Sequence, residues 1–262
     1  MDKLELNRIY NENCLDTMSR MPNGFVDLTV TSPPYDNLRS YKGNNKLWNE
    51  NTWKAIIREL YRVTRNGGVV VWVVGDATIK GSETGTSFKQ ALWAMECGFN
   101  LHDTMIYQKG NPIPNKSRRY TPSFEYMFIW GKGNIVTFNP ILIQSKYAGK
   151  KASRTIISKN GDRRHQSLNG VYAMKKKIGN IFTYNIGSLA GKEAKHPAKF
   201  PEQLASDHII SWSNEGDLVY DPFMGSGTTA KMALINKRNF IGSELDAGYC
   251  DIANERIAEI ST

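Results

Sequence analysis

The sequence is poor in cysteine and has no long hydrophobic run, and these absences narrow the classes of protein it could belong to. Its three cysteines lie far apart, at positions 14, 97 and 250 of 262 residues, which predicts reduced thiols in a cytoplasmic protein rather than a disulfide framework. No CxxC motif or Cys/His cluster indicates a metal. No run of about 18 apolar residues occurs, and the N-terminus lacks the basic-then-apolar order of a signal peptide. We therefore expect a cytoplasmic protein with no membrane partner.

Acidic residues are scarce in one segment of the chain, residues 131–195. This segment has 13 lysines and arginines against two acids, Asp162 and Glu193, a local excess of +11. Because the whole chain has a formal charge of +9, the remainder carries −2. Many basic runs form only a solvated face, but an excess confined to one segment favours a surface that faces phosphate groups.

Strand patterns alternate with helix patterns on both sides of the basic segment. Hydrophobic runs predict strands at 25–31, 69–74, 101–107, 124–130, 218–220 and 239–242. Helical spacing predicts helices at 53–63, 88–97, 201–212, 228–235 and 246–260, the first ended by Asn66-Gly67-Gly68. The alternation predicts an α/β fold with a doubly wound, Rossmann-like sheet. We expect one domain at 1–130 and 196–262, interrupted by a basic inserted region at 131–195 whose own fold the pattern does not predict.

A glycine-rich segment, Asp221-Pro222-Phe223-Met224-Gly225-Ser226-Gly227-Thr228-Thr229, joins a predicted strand to a predicted helix. Glycines let a backbone approach a ligand closely, and the free amides at a helix start favour a carboxylate or phosphate. No lysine follows as in a P-loop, so hydrolysis of a nucleoside triphosphate is not indicated. Glu244 follows about twenty residues later, where an acid commonly binds ribose hydroxyls. The alternative for Glu244 is a solvated carboxylate at a strand end.

A second motif, Thr31-Ser32-Pro33-Pro34-Tyr35, follows the first predicted strand. The amine of a nucleobase is a poor nucleophile because its lone pair is conjugated with the ring. The Ser32 side-chain oxygen and the Pro33 carbonyl could accept the two amine hydrogens and turn the lone pair toward an electrophilic methyl group. Consecutive prolines stiffen this segment, and Tyr35 offers a ring on which a flipped base can stack. Taken alone, the motif could be only a proline turn after a strand.

The order of the two motifs, tetrad first and glycine turn second, resembles the beta subgroup of amino-methylating DNA methyltransferases, which use S-adenosylmethionine. The resemblance covers nearly the whole chain and implies a catalytic tetrad of Ser32, Pro33, Pro34 and Tyr35. It implies a cofactor site formed by Cys14, Asp16, His196, Lys199, Phe200, Asp221, Phe223, Gly225, Ser226, Gly227, Thr228 and Glu244. Asp16 could instead cap a helix that begins at Thr17.

The resemblance also implies double-stranded DNA as substrate, with a homodimer and a cognate restriction endonuclease as further partners. Several basic side chains suit phosphate contacts; the predicted DNA-binding residues are Lys109, Arg118, Arg119, Arg163, Arg164, Lys175, Lys176 and Lys177. For Lys109, Arg118 and Arg119, ordinary surface or core positions are the alternative.

The first tetrad residue, Ser32, bears on which base is methylated. Family members with serine there mostly methylate the exocyclic N4 of cytosine, whereas those with aspartate or asparagine mostly methylate adenine N6. The sequence therefore favours a cytosine-N4 enzyme of a restriction-modification system. The alternatives are an adenine-N6 enzyme with the same mechanism, a non-catalytic DNA-binding relative, and an enzyme that acts on RNA.

Overall fold

The computed structural model of the chain describes residues 3–34, 48–115, 118–185 and 201–260. Four of the residues predicted for the site, Tyr35, His196, Lys199 and Phe200, lie outside these ranges.

The described residues form strands and helices in alternation, as the hydrophobic pattern predicts. In chain order the strands are β1 (Arg8–Tyr10), β2 (Val26–Thr31), β3 (Thr64–Val74), β4 (Thr78–Ile79), β5 (Ser82–Glu83), β6 (Asn100–Lys109), β7 (Phe124–Gly131), β8 (Leu142–Gln144), β9 (Lys151–Ile157), β10 (Arg163–Val171), β11 (Lys175–Lys177), β12 (Ile181–Tyr184), β13 (Leu218–Asp221) and β14 (Asn239–Ser243). The helices are α1 (Cys14–Ser19), α2 (Glu50–Val63), α3 (Thr86–Glu96), α4 (Glu202–Trp212), α5 (Thr228–Ile235) and α6 (Ala247–Ala258). No helix in the described ranges is both long and apolar enough to cross a membrane.

Eight strands form one sheet in the order β1-β14-β13-β2-β3-β7-β6-β12. All neighbours pair in parallel except β7, which is antiparallel to both β3 and β6. From the adjacent strands β2 and β13 the chain continues in opposite directions across the sheet, to β3 and to β14. Ligands of open α/β sheets bind outside the carboxyl ends of strands at such a switch point. The predicted doubly wound α/β fold is confirmed, and its switch point lies where both motifs begin.

Both faces of the sheet are covered, which explains the continuous apolar run in β3. Val70, Trp72 and Val74 belong to a buried cluster that includes residues of α1, α2 and α3. The alternate residues Val69, Val71 and Val73 point to the other face and are buried as well. The three N-terminal helices contact one another in sequence, as do α4, α5 and α6.

The helix α2 ends at Val63, where its apolar spacing predicts, but Asn66-Gly67-Gly68 is not the helix stop that the sequence suggests. These three residues lie inside β3 instead. There the β2–β3 register shifts from Val26↔Thr64 to Leu28↔Val69. A Cβ on Gly68 would lie 2.8 Å from the Asp27 carbonyl oxygen. The glycines therefore permit a bulge and close approach of the two strands, a role that the local pattern does not distinguish from a helix stop.

The inserted region is shorter than predicted. The chain divides into a unit of residues 1–139 and 180–262 and a second unit, Pro140–Gly179. The strand β12, which falls inside the predicted insertion, pairs in parallel with β6 and belongs to the main sheet. The second unit contains two antiparallel pairs, β8–β11 and β9–β10. It has ten lysines and arginines against one acid, so its formal charge of +9 equals that of the whole chain.

Candidate active site

The two sequence motifs meet at the carboxyl ends of β2 and β13. These strands are parallel neighbours, with Tyr220 opposite Thr29, so the residues that follow them emerge side by side. Ser32 is half-buried and Pro33 is buried at the end of β2. The structure therefore brings the described part of the tetrad next to the glycine-rich turn.

Asp221 joins the two motifs directly. The Thr31 hydroxyl donates to its Oδ1 at 2.6 Å, and the Phe223 amide donates to the same oxygen at 3.0 Å. The Thr229 hydroxyl lies 2.7 Å from Oδ2 and 3.2 Å from the Val30 carbonyl oxygen. Asp221 is 1% exposed. Its carboxylate thus fixes the end of β2 to the glycine turn and helix α5, and any effect it has on a ligand acts through this turn.

Burial sets the ionisation of Asp221. It raises the pKa of this carboxyl to about 6 because the interior disfavours the charge, while the hydrogen bonds from Thr31, Thr229 and Phe223 oppose the rise. The Glu244 carboxylate nearby raises the pKa further.

The glycine-rich turn needs glycine at two positions. Gly225 and Gly227 have φ angles of +53° and +82°, in the left-handed region that glycine adopts without strain. A Cβ on Gly227 would lie 2.8 Å from the Cβ of Ala253 in α6. Helix α5 follows at Thr228 with no side-chain cap, so its first amides point toward the mouth of the turn. The turn is suited to the carboxylate end of a ligand.

Glu244 lies at the same edge of the sheet, after β14. Its Oε2 accepts from the Gly225 amide at 2.8 Å and its Oε1 from the Asp246 amide at 2.9 Å. Burial raises its pKa. Glu244 is half-buried and bonded to the turn, which favours a role in the site over a solvated carboxylate. An ionised carboxylate has about four acceptor sites, more than its backbone amides use, so Glu244 keeps capacity to accept from a hydroxyl.

The N-terminal segment lies beside the ends of β13 and β14. The Tyr220 hydroxyl is 3.0 Å from Ser243 Oγ, which donates to Thr17 Oγ1 at 2.9 Å. Cys14 is buried, and burial raises the pKa of its thiol to about 12. A thiol that stays protonated is suited to packing rather than to nucleophilic chemistry.

Asp16 does not cap a helix. Helix α1 begins at Cys14, and the Asn13 side chain caps it by accepting from the Leu15 amide. Asp16 therefore lies in the first turn, with its side chain exposed. Capping at Thr17 is wrong because the N-cap residue lies three positions earlier than the sequence suggests.

Arg256, which no sequence motif singles out, holds the glycine turn by hydrogen bonds to Ser226. Arg256 of α6 donates to the Ser226 carbonyl at 2.5 Å and to Ser226 Oγ at 3.1 Å. It also donates to Glu202 of α4 at 2.6 Å, and Lys231 of α5 donates to the same Glu202 oxygen at 2.7 Å. Arg256 is 8% exposed, so three helices converge on the turn through one buried guanidinium.

The basic residues predicted to contact DNA fall into two groups. Lys109 pairs with Glu125 at 2.9 Å, and Arg119 contacts Glu83 and the Gly81 carbonyl; each therefore has a protein partner that a phosphate must replace. The other predicted residues have exposed side chains: Arg118 before β7, Arg163 and Arg164 on β10, and Lys175, Lys176 and Lys177 on β11. Residues 163–177 belong to the unit that carries the positive charge.

The sequence of the chain matches a family model and several known proteins. A family described as DNA methylase, comprising N6- and N4-methyltransferases, matches residues 26–255. The chain is 54% identical over 240 residues to the orphan methyltransferase M.BamHII of Bacillus amyloliquefaciens, covering 88% of each protein. It is 28% identical over 257 residues to the type II methyltransferase M.BglII of Bacillus subtilis, covering 96% of this chain and 69% of the relative.

Solved structures share the fold. The PvuII DNA methyltransferase (cytosine-N4-specific) superposes with a TM-score of 0.71 at 18% identity, covering 97% of this chain and 87% of that one. TTHA0409 of Thermus thermophilus, in its complex with S-adenosyl-L-methionine, gives a TM-score of 0.65 at 22% identity, covering 96% and 95%. The family match spans both motifs and the strands that bring them together, so the chain belongs to the N6/N4 DNA methylase family.

Proposed function

We propose that the protein is a site-specific DNA methyltransferase that moves a methyl group from S-adenosylmethionine to the exocyclic N4 of a flipped cytosine. The observation that carries the proposal is the Asp221 bridge, which holds the residue before Ser32 against the glycine-rich turn. A direct transfer needs the nucleophile and the methyl donor in one fixed alignment. A single buried carboxylate between their two motifs supports that alignment.

The residues of the turn fit the proposed cofactor. Glu244 has free acceptor capacity for ribose hydroxyls, the two positive-φ glycines let the backbone approach closely, and the start of α5 offers amides to a carboxylate. Phe223 is partly buried against the hydrophobic core, with its ring centroid 6.2 Å from that of Trp72, and supplies an apolar wall. When bound, the cofactor supplies an electrophilic methyl group on a sulfonium.

Ser32 and Pro33 act on the target amine. The Ser32 hydroxyl accepts one amine hydrogen and the Pro33 carbonyl accepts the other, which directs the nitrogen lone pair toward the methyl group. The amine loses a proton to solvent after transfer. Tyr35, which we propose stacks on the flipped base, lies outside the described residues.

Cytosine is favoured over adenine by the serine at the first tetrad position. In the family resemblance, serine accompanies cytosine-N4 enzymes, and the structure that superposes with a TM-score of 0.71 is named cytosine-N4-specific. An adenine-N6 enzyme with the same mechanism is the second candidate, since adenine presents an identical amine to Ser32 and Pro33.

We propose a restriction-modification context, because M.BglII and M1.MboII are named type II methyltransferases, although M.BamHII is named an orphan. We also propose that the enzyme is cytoplasmic, because its proposed substrate is DNA. Inactivating the gene in its own host tests for a cognate endonuclease: the host survives without the methyltransferase when no such endonuclease is present.

Base-resolved mapping of modified DNA tests the activity. DNA from cells that express the chain should carry N4-methylcytosine at one short motif, and Ser32→Ala should slow the chemical step by about 10- to 150-fold through loss of one acceptor. Ser82→Ala, on the exposed strand β5, is the matched control and should leave methylation unchanged. N6-methyladenine would replace the cytosine assignment by the second candidate, and unmodified DNA would refute DNA methylation.

A further inference from the structure

The antiparallel pair β9–β10 exposes side chains on both of its faces. Residues 153–157 and 163–168 are all exposed, among them Ile156 and Ile157 at 41% and 63%. A two-stranded ribbon has no core of its own and is marginal in isolation. Because the unit that contains it has a formal charge of +9, the ribbon is suited to a polyanionic partner.

The register of the ribbon sorts its residues onto two faces. Arg154 pairs with Gln166 and Ile156 pairs with Arg164, and these four side chains share one face. We call this set the reading face. The opposite face carries three pairs that alternate with them: Ser153 with Ser167, Thr155 with His165, and Ile157 with Arg163.

Within the reading face, one cross-strand hydrogen bond orients an arginine. Arg154 Nε donates to Gln166 Oε1 at 2.8 Å. This bond uses the inner nitrogen of the exposed guanidinium, so its two terminal nitrogens can donate to a ligand. A side chain already held in this way loses less conformational freedom on binding.

We propose that Arg154 and Gln166 are a base-reading pair that the ribbon β9–β10 carries into the major groove of the DNA substrate. This inference rests on the proposed DNA methyltransferase activity. The terminal nitrogens of Arg154 match guanine O6 and N7, the Gln166 amide matches adenine N6 and N7, and Ile156 matches a thymine methyl group. A hydroxyl group of the opposite face cannot bond two atoms of one base as a guanidinium or an amide does, so these hydroxyls suit phosphate or solvent.

The dimensions agree with this assignment. The major groove is about 12 Å wide and admits a two-stranded β-ribbon. Successive residues on one face of a strand are about 6.8 Å apart, which equals two base steps of about 3.4 Å. Arg154 and Ile156 on one strand, and Gln166 and Arg164 on the other, therefore span about two to three base pairs.

A matched pair of arginine variants tests the inference. Arg154 and Arg163 are both exposed, carry the same charge and lie on opposite faces of one ribbon. The wild-type motif is first mapped by base-resolved sequencing of DNA from expressing cells, and Arg154→Ala, Gln166→Ala and Arg163→Ala are then mapped in the same way. Arg154→Ala should relax one G·C position of the motif and Gln166→Ala one A·T position, whereas Arg163→Ala should leave the motif unchanged.

Binding measurements decide the case in which a variant methylates too little DNA to map. For each purified variant the affinity for a duplex with the wild-type motif is compared with that for a scrambled duplex. Arg154→Ala should lower this ratio by about 5- to 150-fold, whereas Arg163→Ala should weaken both duplexes equally. An unchanged ratio in Arg154→Ala, or equal behaviour of the two arginine variants, overturns the base-reading role. If the wild type modifies no motif at all, the proposed function itself fails.

Discussion

Asp221→Asn tests the bridge between the two motifs. Burial raises the pKa of Asp221 to about 6 from an ordinary value of 3.8, and the neighbouring Glu244 adds to the rise. Above about pH 6 the folded protein must therefore hold an ionised carboxylate in its interior, whereas the unfolded chain ionises the same group in water. Asparagine removes this charge and keeps the shape of the side chain.

The sign and size of the effect follow from proton linkage. From about pH 4 to pH 6 the folded protein retains the Asp221 proton that the unfolded chain has lost, so the free energy of unfolding falls as pH rises. A pKa difference of about 2 between the folded and unfolded states corresponds to about 3 kcal/mol at pH 7. This loss should be absent from Asp221→Asn, which has no proton to release.

The hydrogen bonds of the site accommodate the amide. The asparagine Oδ1 would accept from the Thr31 hydroxyl and the Phe223 amide as the carboxylate does. Its Nδ2 would donate to Thr229 Oγ1, whose own proton is then directed to the Val30 carbonyl oxygen 3.2 Å away. Asp221→Ala instead deprives the Thr31 hydroxyl and the Phe223 amide of this acceptor, at about 1–3 kcal/mol each.

Urea unfolding followed by circular dichroism, from pH 4 to pH 8, measures these quantities. The difference in unfolding free energy between Asp221→Asn and the wild type should grow by about 2 kcal/mol between pH 4 and pH 7, and Asp221→Ala should be the least stable of the three at pH 7. A difference that does not change with pH refutes the assigned ionisation. An asparagine variant less stable than the wild type at pH 7 refutes the hydrogen-bond arrangement.

Three further substitutions probe the turn. Glu244→Ala should weaken binding of S-adenosylmethionine, measured by calorimetry, by about 10- to 100-fold through loss of charged acceptors; unchanged affinity would remove Glu244 from the site. Arg256→Lys keeps the charge, but a lysine cannot donate to Ser226 and Glu202 together. The Michaelis constant for the cofactor should therefore rise about tenfold, while the rate at saturation changes less. A fall in the rate at saturation alone would contradict a role in shaping the turn. Gly227→Ala places a methyl group 2.8 Å from Ala253 at a φ of +82°. The free energy of unfolding should therefore fall by about 2–4 kcal/mol. A thermal unfolding midpoint equal to that of the wild type would contradict this packing.

Local pattern predicted most of the elements of the main sheet because their signals lie within short windows. The apolar run of β3 and the spacing of α2 each determine an element without reference to the rest of the chain. The pattern failed where a local signal has two meanings. Asn66-Gly67-Gly68 serves as a bulge rather than a helix stop, and Asn13 rather than Asp16 caps α1. The strand β12 was missed because the basic segment around it obscured four residues of alternation.

The sequence by itself determined the chemistry available: a serine before two prolines, a glycine-rich strand-to-helix turn, and an acid after the next strand. These signals are carried by residues adjacent in the chain. Only the tertiary structure decided how the parts are held together, because strand order places groups side by side that are distant in sequence. Thr31 and Asp221, 190 residues apart, share a hydrogen bond. Arg256 reaches Ser226 only because α6 packs against α5, and no local pattern encodes that packing.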